Sequence, residues 1–149
     1  PANGLDPAGI VEIRNYLLEL ARQRGVTIFL SSHILGEVSR LAGRIGFIHQ
    51  GRLIQEKAAA QLEEERRRWL VVQAHALPAG HRLLAQAGYD PVLVRAERIE
   101  MRDARAIEHP EEVATLLVQA GLPPTRLAVE QEDLEHYFLR LVGMEEAPA

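Results

Sequence analysis

Asn3-Gly4-Leu5-Asp6-Pro7 and, further along, Gly25-Val26-Thr27-Ile28-Phe29-Leu30-Ser31-Ser32-His33 are the two stretches whose reading decides the fold of this chain. Between them Ile10, Ile13, Leu17, Leu20 and Ala21 recur at threes and fours, with Glu12, Arg14, Glu19, Arg22 and Arg24 largely on the other side. That spacing predicts an amphipathic helix over Ala8 to Arg24. Gly25 is a natural helix stop, and Val26 to Leu30 is a short apolar run rich in β-branched residues, as a strand covered on both faces carries. Helix, glycine and buried strand make half of a βαβ unit, so the chain is expected to open in an α/β layer.

Working outward, the pattern predicts a second helix from Ile34 to Ala42, then a hairpin of strands Arg44 to His49 and Arg52 to Gln55 turning at Gln50-Gly51. Lys57 to Arg68 is helix-forming. Within it Glu63-Glu64-Glu65 each lie three residues before a base of Arg66-Arg67-Arg68, a spacing that pairs charges on a helix surface and suits a solvated connector.

Periodicity then restarts, with strand Trp69 to Ala74, helix Pro78 to Ala87 closed by Gly88, strand Pro91 to Ala96 and strand Arg98 to Arg102. Helix Pro110 to Ala120 closed by Gly121, strand Arg126 to Val129 and helix Glu132 to Val142 follow. The order βαββαβ plus a terminal helix is that of the split βαβ, ferredoxin-like arrangement, an α+β domain. The last helix is expected to bury Leu134, Phe138, Leu141 and Val142. The expected organisation is thus residues 1–60 as one region, 61–68 as a helical connector and 69–149 as the ferredoxin-like domain.

Composition excludes several classes. Among 149 residues, 47% hydrophobic and 26% charged content places the chain among soluble globular proteins. A net charge of -4 argues against nucleic acid or anionic membrane surfaces as general partners, since clustered Lys and Arg hold those. Without cysteine there are no disulfides and no thiolate metal sites, and no run of about 18 apolar residues is present to span a membrane. His33, His49, His75, His81, His109 and His136 include no pair four residues apart, so no metal site is expected. The opening Pro1, in place of an initiating Met, reads as a processed or cropped end.

Taken in order, Pro1 to Asp6 before Pro7, Ser31-Ser32-His33, and Gly51-Arg52-Leu53 in the hairpin resemble the ATPase subunits of ATP-binding cassette (ABC) transporters over Pro1 to about Gln55. The resemblance implies that residues 1–60 are the carboxyl-terminal part of a P-loop NTPase-like domain. Asn3, Gly4, Leu5 and Asp6 would form the D-loop at a dimer interface, with Asp6 coupling one nucleotide site to the other. His33 would be the switch histidine, meeting the γ-phosphate of ATP. A histidine beyond the carboxyl end of a buried strand suits that role, because open α/β sheets bind ligands in that crevice and an imidazole N–H can donate to a phosphate oxygen. As a structural alternative, Asn3 to Pro7 is an ordinary turn with Asp6 and Pro7 starting a helix.

A subunit of this family would use ATP and Mg2+, pair with a second ATPase subunit, and drive a membrane-spanning transporter subunit from the cytoplasmic side of the cell membrane. The tail Glu132 to Val142 is similar to exporter-type subunits of antibiotic and lipid efflux systems. This chain lacks the phosphate-cradling Gly-x-x-x-x-Gly-Lys pattern, its single lysine being Lys57, and carries no Leu-Ser-Gly-Gly-Gln signature. Neither tight ATP binding nor hydrolysis is therefore expected of it alone. Without flanking strands, Val26 to Leu30 would also offer an apolar edge to water or to another chain, so residues 1–57 are expected to be partly disordered or self-associated. A second function class stays open: residues 69–142 as a non-enzymatic regulatory or dimerisation module, with Val71, Val92, Val94 and Ile99 lining either its core or a binding face.

Overall fold

The computed structural model describes residues 7–33 and 35–144, a mixed α/β chain that divides after Glu63 into two compact units. In the first, α1 (Pro7–Arg24) and α2 (Leu35–Leu41) precede an antiparallel hairpin of β1 (Arg44–His49) and β2 (Arg52–Ala58). His49 pairs with Arg52 across Gln50 and Gly51, whose φ values of 49° and 75° give the doubly left-handed turn that matches the twist of two-residue hairpins. Ile45 and Phe47 alternate into the interior. A bulge follows Phe47, which pairs with Gln55 while Ile48 pairs with Leu53, leaving Ile54 as the extra residue.

Two sequence expectations fail here. Val26 to Leu30 is not a strand: the segment lies in no ladder, and Val26, Phe29 and Leu30 are exposed, Phe29 by 92%. An apolar run becomes a strand only where neighbouring backbone satisfies its N–H and C=O groups, and among the described residues β1 and β2 pair only with each other. The helix expected over Lys57 to Arg68 is shortened at both ends to α3 (Ala59–Glu65). Lys57 and Ala58 continue the ladder opposite Ile45 and Arg44, so β2 outruns its expected end at Gln55, and Arg68 opens the next strand.

The second unit holds β3 (Arg68–Gln73), α4 (Leu77–Gln86), β4 (Pro91–Val94), β5 (Arg98–Met101), α5 (Ala104–Glu108), α6 (Pro110–Gln119), β6 (Arg126–Gln131) and α7 (Leu134–Leu141). Its strands lie in the order β4-β5-β3-β6, every neighbouring pair antiparallel. The core forms where one face of this sheet meets the helices: Leu70 and Val72 of β3 and Ile99 and Met101 of β5 pack with Leu84 of α4, Ala106 of α5, and Val113 and Leu117 of α6. Period-2 alternation on the strands and period-3.6 spacing on the helices put these residues on facing surfaces.

Gly88 and Gly121, expected as helix stops, take φ of 87° and 72° after α4 and α6. The next residue then folds back: Tyr89 N–H donates to the Leu84 carbonyl at 3.1 Å and Leu122 N–H to that of Leu117 at 2.9 Å. These are the crossed closures of glycine-terminated helices. Three further boundaries depart from expectation. β4 stops at Val94, because Arg95 and Ala96 turn left-handed with φ of 49° and 56°. α5 is an additional short helix before α6. α7 starts at Leu134, since Asp133 is its cap and Glu132 leaves β6 as a corner residue.

Candidate functional site

Of the residues expected to act on a nucleotide, Asn3, Gly4, Leu5 and Asp6 lie outside the described residues. His33 is described, at the end of the extended segment that follows α1, and is exposed. Among the described residues the segment leading to it pairs with no strand, so no sheet places it. A shallow depression along α1, lined by Tyr16, Glu19, Leu20, Gln23 and Arg24, measures about 110 Å³. Pockets that bury a drug-sized ligand run to about 300–1,000 Å³, several times this volume. Among the described residues no three His, Asp or Glu side chains converge as a metal site, and no helix is long and apolar enough to cross a membrane.

The most organised polar constellation lies elsewhere, at the corner between β6 and α7. Glu132, only 3% exposed, receives Arg140 bidentately, Nε to Oε1 at 2.9 Å and Nη2 to Oε2 at 2.8 Å. Its Oε2 also accepts from the backbone N–H of Arg67 at 3.2 Å, its own N–H donates to the Arg67 carbonyl at 2.8 Å, and its carbonyl accepts from Arg66 Nε. Burial alone would raise this carboxyl, but the Arg140 and Arg67 hydrogen bonds, with the charges of both arginines, outweigh it and hold the group below its ordinary range. Tyr137, 3% exposed, donates its Oη to Glu65 Oε2 at 2.9 Å, and the Arg140 guanidinium lies over its ring 4.8 Å from the centroid. The run Glu63 to Arg68, read from sequence as a solvated helix face, is thus partly consumed in this corner.

Asp133 next door caps α7, accepting from His136 N–H and from its Nδ1, each at 2.8 Å. That hydrogen bond and the aspartate charge raise the His136 imidazole above its ordinary value. A second surface group joins α5, α6 and the loop before β4. Arg105 pairs with Glu112 at 2.7 Å, its guanidinium stands over Tyr89 at 5.2 Å, and Tyr89 Oη donates to Glu112 at 3.4 Å. Burial, ahead of the opposing Arg105 charge and the neighbouring Glu112, pushes the Tyr89 hydroxyl up. Of the four residues left open between core and face, Ile99 and Val71 are fully buried, Val94 is half-buried, and Val92 is 50% exposed.

No family model matches the chain. It is 33% identical over 144 residues to the bacitracin transport ATP-binding protein BcrA of Bacillus licheniformis, an alignment covering 96% of this chain and 47% of that protein. BcrA of Enterococcus faecalis is 32% identical over 143 residues, covering 96% and 46%. The lantibiotic transport ATP-binding protein SrtF of Streptococcus pyogenes is 54% identical over 57 residues, covering 38% of this chain and 24% of that protein. The chain spans about half the length of the BcrA proteins it matches. Similarity along 96% of the chain runs through both structural units, and on it the chain belongs to the ATP-binding proteins of ABC transporters.

Proposed function

We propose that this chain corresponds to the carboxyl-terminal portion of an ABC transporter ATP-binding subunit, from the D-loop onward, and that the whole subunit hydrolyses ATP with Mg2+ to drive export. The observation that carries this reading is the BcrA alignment across both units, joined to the order of the motifs around Asp6 and His33. In it Asn3, Gly4, Leu5 and Asp6 form the D-loop, Asp6 links the two sites of an ATPase dimer, and His33 donates to the γ-phosphate and positions the attacking water. Its role is positioning, with no covalent step. The subunit works at the cytoplasmic face of the membrane beside a membrane-spanning partner. The names of the relatives, bacitracin and lantibiotic transport proteins, support a peptide-antibiotic type of cargo.

Residues 64–149 are the accessory, ferredoxin-like domain of that subunit. The antiparallel order β4-β5-β3-β6, with α4 and α6 sharing one core, supports this, because a βαββαβ chain with both helices on one face produces it. The exposed Val92 on the short terminal strand β4 favours a regulatory or dimerisation role for the same domain beside the enzymatic role of the subunit.

The test uses the whole subunit, in which His33→Ala is expected to lower ATP turnover by about 10²-fold or more while leaving nucleotide affinity nearly unchanged. Unchanged turnover removes His33 from the mechanism. The 149-residue chain by itself is expected to show no turnover; activity abolished by His33→Ala would overturn that expectation.

A further inference from the structure

The geometry at the β6–α7 corner points to a conformational device: we propose that α7 is a clamp holding Glu65-Arg66-Arg67, at the start of the second unit, to the β6–α7 corner, and that undocking of α7 is the step that frees the arginine run. The inference rests on no assumption about His33 or the nucleotide. Three consecutive residues are each tied to the same terminal corner. Glu65 accepts from Tyr137 Oη at 2.9 Å, Arg66 donates to the Glu132 carbonyl, and Arg67 donates its N–H to Glu132 Oε2 at 3.2 Å while its carbonyl accepts from Glu132 N–H at 2.8 Å.

Arg67 and Arg68 are exposed, and the two hydrogen bonds from Arg67 to Glu132 are made by its main chain, so the main chain is what the clamp restrains. Closure depends on α7 itself. Arg140, two turns into the helix, neutralises the buried Glu132 carboxylate, and Asp133 fixes the helix start. With α7 displaced, Glu132 loses its bidentate partner, a buried carboxylate without that partner does not stay buried, and the bonds to Arg66 and Arg67 go with it. The device is cooperative, because one residue carries both the Arg140 pair and the connector bonds.

Trypsin reads this directly, since it must draw extended main chain into its cleft to cut after Arg66, Arg67 or Arg68. In the intact chain, site-resolved cleavage rates are expected to be at least tenfold lower there than after Arg24, which ends α1 beside an exposed segment. In the double variant Glu132→Gln, Tyr137→Phe, cleavage at the arginine run is expected to rise at least tenfold while cleavage after Arg82 in α4 stays constant. If that variant does not fold, Tyr137→Phe alone, which keeps the ring and loses one hydrogen bond, should raise it at least threefold under the same control. Rapid cutting at the run in the native chain, no acceleration in the folded variant, or acceleration at Arg82 in step with the run would each overturn the proposal.

Discussion

Burial pushes the Glu132 carboxyl toward its neutral form, and the Arg140 and Arg67 contacts pull it further the other way, so in the folded chain it titrates below its ordinary value of 4.5. A depressed carboxylate stabilises the fold above the unfolded value and loses that contribution as pH falls through the folded one. Stability is therefore expected to drop below pH 4.5. Glu132→Gln should remove part of that acid dependence and cost about 1.5–3 kcal/mol at neutral pH, the range for hydrogen bonds to charged groups, read as a lower urea midpoint. His136 runs the opposite way. Its hydrogen bond to Asp133 raises it above 6.5, so its contribution is complete below that value and is lost as pH rises through the folded one. With its side chain 73% exposed the effect on stability is screened, but an NMR titration of its ring should give a midpoint above 6.5 that falls in Asp133→Asn. The local half of this corner lay within reach of the sequence, since Asp133 and His136 stand three apart, although the helix was expected to begin at Glu132, one residue before its cap. The distant half was not: Glu132 and Arg67 are separated by 65 positions, and nothing in a run of acids tells which one folds inward.

Among the elements, the turn from β4 to β5 stores avoidable strain. Arg95 and Ala96 both occupy left-handed backbone, where the Cβ of an L-residue crowds the following carbonyl at roughly 1–2 kcal/mol per residue. The turn bond from Glu97 N–H to the Val94 carbonyl, at 3.0 Å, fixes that geometry. Ala96→Gly is expected to stabilise the second unit by about 1 kcal/mol, raising its midpoint by about 4–8 °C in a thermal scan. Where chain chemistry is local, elements could be read from sequence: Gly88 and Gly121 end their helices, and Gln50-Gly51 turns the hairpin. Where an element depends on what lies beside it, sequence overreached. Val26 to Leu30 has strand composition and no neighbouring strand among the described residues, while Lys57 and Ala58 have helix composition and a waiting ladder in β1.

At the scale of the whole molecule the two units differ in what they bury. The second has a continuous core running from Leu70 to Leu117 and drawing on β3, β5, α4, α5 and α6. In the first, the buried hydrophobics among the described side chains are Ile45, Phe47 and Leu62, while Val26, Phe29, Ile48, Leu53 and Ile54 face outward. Hydrophobic burial is the main favourable term in folding, so residues 64–149 expressed alone should unfold in one cooperative thermal transition with a dispersed amide spectrum. Residues 1–63 alone should show neither. A 64–149 fragment without a cooperative transition would locate its stability outside its own core.

The position of β3 in the sheet has a temporal side. It is the first strand of the second unit, yet its long pairing is with β6, from Arg68 opposite Gln131 to Gln73 opposite Arg126, and Glu65 then waits for Tyr137, 72 residues later. Such long-range pairings must be closed across a long loop before they stabilise anything. As the chain emerges in synthesis, helices α4 and α6 can form while one edge of β3 is still bare. The newborn domain thus carries an open strand edge until Arg126 to Gln131 emerge, and β6 ends that exposure.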